Sequence, residues 1–214
     1  MNKEFKKRIL SSIILLPIII YLIIKGSFLF NFFILICFFI SVFEWHKMTK
    51  NFLYKIFGFS FLIFSFYTIY KIRNDLPNDY DDFLLIILVC ISTDIGGYIF
   101  GNIFKGPKLT KISPKKTYSG MIGGYLLSII FANFFLNNYF NRTTMELTGD
   151  TFIIIILIST VSQIGDLIIS YFKRLSNVKD TGKIIPGHGG LLDRIDGMIF
   201  AFPFSYLIFI NGYY

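Results

Sequence analysis

Residues 151–172 read "TFIIIILISTVSQIGDLIISYF". At about 1.5 Å per residue, a helix of that length covers about 33 Å, enough to cross a bilayer's hydrocarbon core of about 30 Å. One acid, Asp166, interrupts the apolar run. At 100° per residue, Ser159, Ser162, Gln163, Asp166, Ser170 and, one turn on, Lys173 fall on a single stripe, while the other faces are Ile, Leu, Val and Phe. An Asp at mid-bilayer costs roughly 2.5–3.5 kcal/mol on insertion scales, so this stripe cannot face lipid and must line a cavity or another helix. Asp166 is then either a functional group or a structural partner of Lys173 or of a neighbouring span.

The rest of the chain has the same character. Of 214 residues 54% are hydrophobic and 16% charged, against about 25% charged in soluble domains. We expect an all-α, polytopic membrane protein of about seven transmembrane helices, near residues 9–24, 28–46, 52–70, 83–104, 120–140, 151–172 and 196–214. The basic, apolar N-terminus resembles a signal peptide, but no small-residue cleavage site follows it, so the expectation is a retained first span. One membrane-embedded domain is expected over 1–214, with N-terminal spans in 1–90 and catalytic helices and loops in 91–214. Cys37 and Cys90 lie in apolar runs without CxxC spacing and read as buried free thiols.

Seven alternating spans place residues 1–8, 47–51, 105–119 and 173–195 on one side. With Lys55, that side holds 17 of the 21 Lys and Arg residues. The positive-inside rule puts it in the cytoplasm, in a cell's inner (plasma) membrane. The net charge of +8 thus reflects sidedness rather than a nucleic-acid partner.

Polar features crowd into the second half. Asp94 lies in "STDIGGYIFG", where Gly97 and Gly101 have the spacing that lets two helices approach closely. Packing explains the glycines; the acid is either an interhelical hydrogen-bonding group or part of a site. In "KGPKLTKISPKKTYSGMIGG", Ser113, Lys115, Lys116 and Thr117 precede a helix start and suit an anionic phosphate. In "KRLSNVKDTGKIIPGHGGLLDRID", Lys173–Asp196, Gly187, Gly189 and Gly190 allow backbone N–H groups to turn towards an anion. Asp193 and Asp196 share a face if a helix begins there, and Lys173, Arg174, Lys179 and Arg194 add positive charge. Carboxylates with lysines and glycines at a membrane edge suggest Mg²⁺ and polyphosphate together. His188 is an acid/base, a phosphate donor or a loop-ordering group.

The stretch "SYFKRLSNVKDTGKIIPGHGGLLDRID", Ser170–Asp196, resembles the signature of phosphatidate cytidylyltransferases: S-x-x-K-R, four residues, K-D, then P-x-H-G-G-x-x-D-R-x-D. The resemblance extends to "QIGDL" at 163–167, "ISPKKT" at 112–117, "GMIGG" at 120–124 and "TDIGGYIFG" at 93–101. It implies that phosphatidic acid attacks the α-phosphorus of CTP, giving CDP-diacylglycerol and pyrophosphate. It also implies Mg²⁺, a monovalent cation such as K⁺ beside it, and a homodimer in the membrane lipid. Asp166 and Asp193 would be metal ligands, flanking the glycine loop so that both can reach one Mg²⁺. The implied catalytic set adds Lys173, Arg174, Lys179, Asp180, His188, Arg194 and Asp196. The implied substrate contacts are Asp94, Ser113, Lys115, Lys116, Thr117, Ser170, Gly189 and Gly190. The chain departs from the family at Ser119 and Ile169, where Glu is usual, and it is short for the family, which implies fewer or reduced N-terminal spans. A CTP-dependent polyprenol or phytol kinase is the nearest alternative; the intact K-D…H-G-G…D-R-x-D order argues against it. An ion-coupled transporter using Asp94 and Asp166 ranks below both, because the polar features are not repeated in two halves.

Overall fold

A computed structural model describes residues 17–75, 80–110, 112–139, 149–185 and 189–210. Residues 17–25 are helical, and seven further helices follow: α1 (Ser27–Met48), α2 (Phe52–Asn74), α3 (Asp81–Phe104), α4 (Tyr118–Tyr139), α5 (Gly149–Leu175), α6 (Leu192–Ile195) and α7 (Met198–Ile210). No strand occurs among the described residues, only two isolated bridges, Lys108 with Thr117 and Ile185 with Gly189.

Five helices, α1 to α5, are long and apolar enough to cross a membrane, and the protein is a polytopic, all-α membrane protein. They match the expected spans at 28–46, 52–70, 83–104, 120–140 and 151–172. The expected last span is represented by α7, whose 13 residues extend about 20 Å. Most of the expected first span lies outside the described residues.

By backbone contacts the chain divides into two compact units, residues 1–80 with 172–196 and residues 81–171 with 197–214. The loop that follows α5 therefore groups with the N-terminal spans.

In the first unit α1 and α2 pack together across a three-residue link. Thr49 ends α1 by donating its N–H (2.9 Å) and hydroxyl (2.7 Å) to the carbonyl of Trp45. Asn51 caps α2, its side-chain oxygen accepting from Leu53 N–H at 2.9 Å. The Trp45 indole N–H donates to the Tyr54 carbonyl at 3.1 Å, and Phe172 packs edge-on against Trp45 and Tyr54. The arrangement fixes the C-terminal turn of α1 next to residues 172–196.

In the second unit α3 and α4 share the most extensive helix pairing. A Cβ on Gly120 would come 2.7 Å from the Gly97 carbonyl, and one on Gly101 would come 3.2 Å from Thr117 Oγ1. The small-residue spacing of α3 is thus a packing seam. Asp94 and Tyr98 of the same helix are exposed. The polar stripe of α5 packs as expected: Ser159 and Ser162 are buried, and Ser159 Oγ lies 2.8 Å from Thr93 Oγ1.

Candidate active site

The second unit carries a polar cluster built around Asp166. Its Oδ2 lies 2.5 Å from the ammonium of Lys116, and its Oδ1 accepts from the Ser170 hydroxyl, one turn further along α5, at 3.2 Å. Lys116 and Asp166 keep 26% and 28% side-chain exposure, so the pair is open at one side. Lys116 is positioned by the turn before α4: its N–H donates to the Ser113 carbonyl at 3.0 Å, and Ser113 N–H donates to Thr110 Oγ1 at 3.2 Å. Thr117 Oγ1 accepts from Gly120 N–H at 3.1 Å, as a helix N-cap does. Lys115 is exposed beside it. The "SPKKT" segment therefore presents lysines on a turn locked by its own hydroxyls. The ion-pair partner of Asp166 is Lys116, from the turn before α4; Lys173, one of the two kinds of partner considered from sequence, is committed to Asp193.

The first unit carries a second cluster, around Asp193. Lys173 donates to its Oδ1 at 2.9 Å. Its Oδ2 accepts from Thr181 N–H (2.8 Å) and Gly190 N–H (3.0 Å), with Thr181 Oγ1 at 3.1 Å. The Asp193 side chain is 4% exposed. Burial would raise its pKa, but the hydrogen bond and charge of Lys173 and the N–H groups of Gly190 and Thr181 outweigh that and hold it below the ordinary carboxylate range. Asp193 is thus a carboxylate at neutral pH. Gly189 has φ +91°, a backbone region that suits glycine. A Cβ on Gly190 would run into Thr181 Oγ1 and both carboxylate oxygens of Glu44. Arg174, Lys179, Asp180 and Arg194 are exposed around this loop, and Asp196 is buried at the break between α6 and α7. Gly187 and His188 lie outside the described residues.

One expectation changes here. The glycine loop was expected to turn N–H groups towards an anion, and the resemblance implies substrate contacts for Gly189 and Gly190. Gly190 N–H instead serves Asp193, and the next two serve a carboxylate that the sequence did not single out. Glu44, at the cytoplasmic-facing end expected for α1, is 1% exposed. Its Oε1 accepts from Leu191 N–H (3.0 Å), and its Oε2 accepts from Leu192 N–H (2.9 Å) and the Thr181 hydroxyl (3.0 Å). The signal in sequence was an acid near the end of an apolar run, at "SVFEWHKM", inside the expected span 28–46.

Lys173→Ala leaves Asp193 buried without its ammonium. Breaking a buried ion pair costs about 3–5 kcal/mol. The N–H groups of Thr181 and Gly190 still hold Asp193, so we expect a stability loss at or below about 3 kcal/mol, and, through the phosphate contact that the resemblance implies, a kcat/KM reduced about ten- to a hundredfold. Thermal unfolding in detergent and steady-state kinetics on one preparation measure both; unchanged kinetics would reduce Lys173 to a topological role.

A model of the cytidylyltransferase family matches residues 51–211. A phosphatidate cytidylyltransferase of Rickettsia bellii is 37% identical over 97% of this chain and 90% of its own length. One of Rickettsia felis is 37% identical over 95% of this chain and 91% of its own. One of Brucella suis is 36% identical over 70% of this chain and 54% of its own. The shortness expected against the family thus holds for the Brucella relative and not for those of Rickettsia. The matched region carries both clusters except for Glu44, and on this match and these relatives the chain belongs to the cytidylyltransferase family.

Proposed function

We propose that the chain transfers the cytidylyl group of CTP to phosphatidic acid, releasing pyrophosphate and leaving CDP-diacylglycerol in the membrane. The observation that carries this reading is the complete Ser170–Asp196 signature in the sequence, of which Lys173, Thr181 and Gly190 are tied to Asp193, within a chain whose relatives are named for that activity. Phosphatidate is already a nucleophile, so the protein needs to position two anions and neutralise charge rather than generate a strong base. Lys115 and Lys116, on the locked turn before α4, are suited to phosphate oxygens. Arg174, Lys179 and Arg194 add exposed positive charge beside the Asp193 loop, where Gly190 N–H is committed to Asp193.

Mg²⁺ fits the donors that are present. Asp166 offers a partly exposed carboxylate and the neighbouring Ser170 hydroxyl, hard oxygens of the kind that leave room for substrate phosphates and water. Each of Asp166 and Asp193 already holds a lysine ammonium on one oxygen, so each tolerates a cation there. For Asp193 only Oδ1 suits a metal, because Oδ2 is committed to the loop. When bound, Mg²⁺ would neutralise phosphate charge and polarise the attacked phosphorus. Lys116 and Lys173 would then be released towards phosphate. A monovalent cation and a homodimer complete the proposal; K⁺ dependence and the mass of the detergent-solubilised protein test them.

Purified protein in detergent, given phosphatidic acid, labelled CTP and Mg²⁺, should yield labelled CDP-diacylglycerol, and no labelled lipid when dolichol replaces phosphatidic acid. A labelled product from dolichol alone would move the activity to a lipid kinase. We also place the two basic loops in the cytoplasm, where CTP is found. Cysteines introduced at the exposed Lys108 and Lys183 should react with an impermeant maleimide only after the membrane is opened; labelling of either in intact cells would invert the topology.

A further inference from the structure

Asp193 does not hold the glycine loop alone. Glu44 reaches it from α1, where its carboxylate is buried and accepts three hydrogen bonds, from Leu191 N–H, Leu192 N–H and the Thr181 hydroxyl. Leu191 and Leu192 open the short helix α6, whose first N–H groups have no partner within the helix. Glu44 supplies that partner from another element. Thr181 Oγ1 stands 3.0 Å from Glu44 Oε2 and 3.1 Å from Asp193 Oδ2. One hydroxyl carries one proton, so Thr181 shares it between the two carboxylates in a three-centre bond or gives it to one of them at a time, and each carboxylate is otherwise held by separate backbone donors. The close fit extends to glycine: a side chain on Gly182 or Gly190 would collide with Glu44.

We propose that Glu44 is a positioning residue for cytidylyl transfer. It fixes the start of α6 and, through Thr181, the orientation of Asp193. A purely space-filling role does not need an acid. Burying a carboxylate is costly unless its oxygens are satisfied, and here they are satisfied by the segment that carries the signature. The proposal rests on the cytidylyltransferase reading for its activity arm, and has a second arm that does not depend on the reaction.

Glu44→Gln keeps the shape but turns an amide N–H₂ towards at least one N–H donor. Removing a partner one step behind the reacting groups typically costs ten- to a hundredfold in activity, and we expect kcat to fall by that range with KM for phosphatidic acid within about twofold. Thr181→Val should lower kcat in the same direction, and Thr181→Ser, which restores the hydroxyl, should recover most of it. The Glu44→Gln/Thr181→Val double variant should lose less than the product of the two single losses, because both break one linkage. Independently of turnover, limited proteolysis should cut within residues 176–190 faster in Glu44→Gln than in wild type, while the membrane spans stay protected. Wild-type kcat in purified Glu44→Gln would overturn the proposal, as would an unchanged cleavage rate or a Thr181→Ser variant as weak as Thr181→Val. If wild type makes no CDP-diacylglycerol, the functional reading fails while the proteolysis arm still judges the anchoring role.

Discussion

Asp166→Asn should purify as a folded membrane protein with its turnover reduced by about 10²–10³, the effect of removing one preorganised electrostatic group from a transfer site. Asn is nearly isosteric and keeps one oxygen for Ser170, but it carries no charge for Lys116 or for the proposed Mg²⁺. The cost to stability should be far smaller. The Lys116–Asp166 pair retains more than a quarter of its side-chain exposure on both partners, and ion pairs that water can reach contribute about 0–1 kcal/mol. The Mg²⁺ concentration for half-maximal rate should rise. Melting temperature and specific activity on the same preparation separate the roles. A large fall in melting temperature with normal activity per folded molecule would make Asp166 a structural anchor of the α4 turn.

Asp193→Asn should have the larger combined effect. An amide placed at this position finds donors on both sides: Lys173 faces one oxygen, and Thr181 N–H and Gly190 N–H face the other. Whichever way the amide turns, its N–H₂ meets a donor, and a buried polar group left unsatisfied costs about 1–3 kcal/mol, more where charge is involved. Loss of turnover of at least about 10²–10³ should therefore come with faster proteolysis between residues 176 and 190. The transmembrane helices should remain intact, since α5 meets Asp193 through Lys173 in its last turn. Equal protease resistance in Asp193→Asn and wild type would show that the loop is held chiefly by Glu44.

The spans were readable because their cause is local. An apolar run of some 20 residues has one low-energy form in a bilayer, and α1 to α5 follow it. The polar stripe of α5 was readable by the same logic, and it packs through Ser159 and Ser162 as its periodicity requires. Partner choice was not readable. Nothing in the spacing tells that Asp166 meets Lys116 across the chain while Lys173, two turns along the same helix, meets Asp193. The glycines at 189 and 190 signalled close approach to an anion, and the anions they approach here are the protein's own Asp193 and Glu44. Glu44 was missed because an acid at the end of a span is ordinary there, and only the fold brings residues 181, 191 and 192 to it.

Cytidylyl transfer and lipid phosphorylation differ in which phosphorus of CTP reaches the lipid. Two parallel reactions with purified protein, phosphatidic acid and Mg²⁺, one given CTP labelled at the α-phosphorus and one at the γ-phosphorus, measure this directly. Cytidylyl transfer predicts that α-label appears in the lipid as CDP-diacylglycerol and that γ-label leaves as pyrophosphate, both lost in Asp166→Asn. Label from the γ-phosphorus in the lipid, with none from the α-phosphorus, would contradict it.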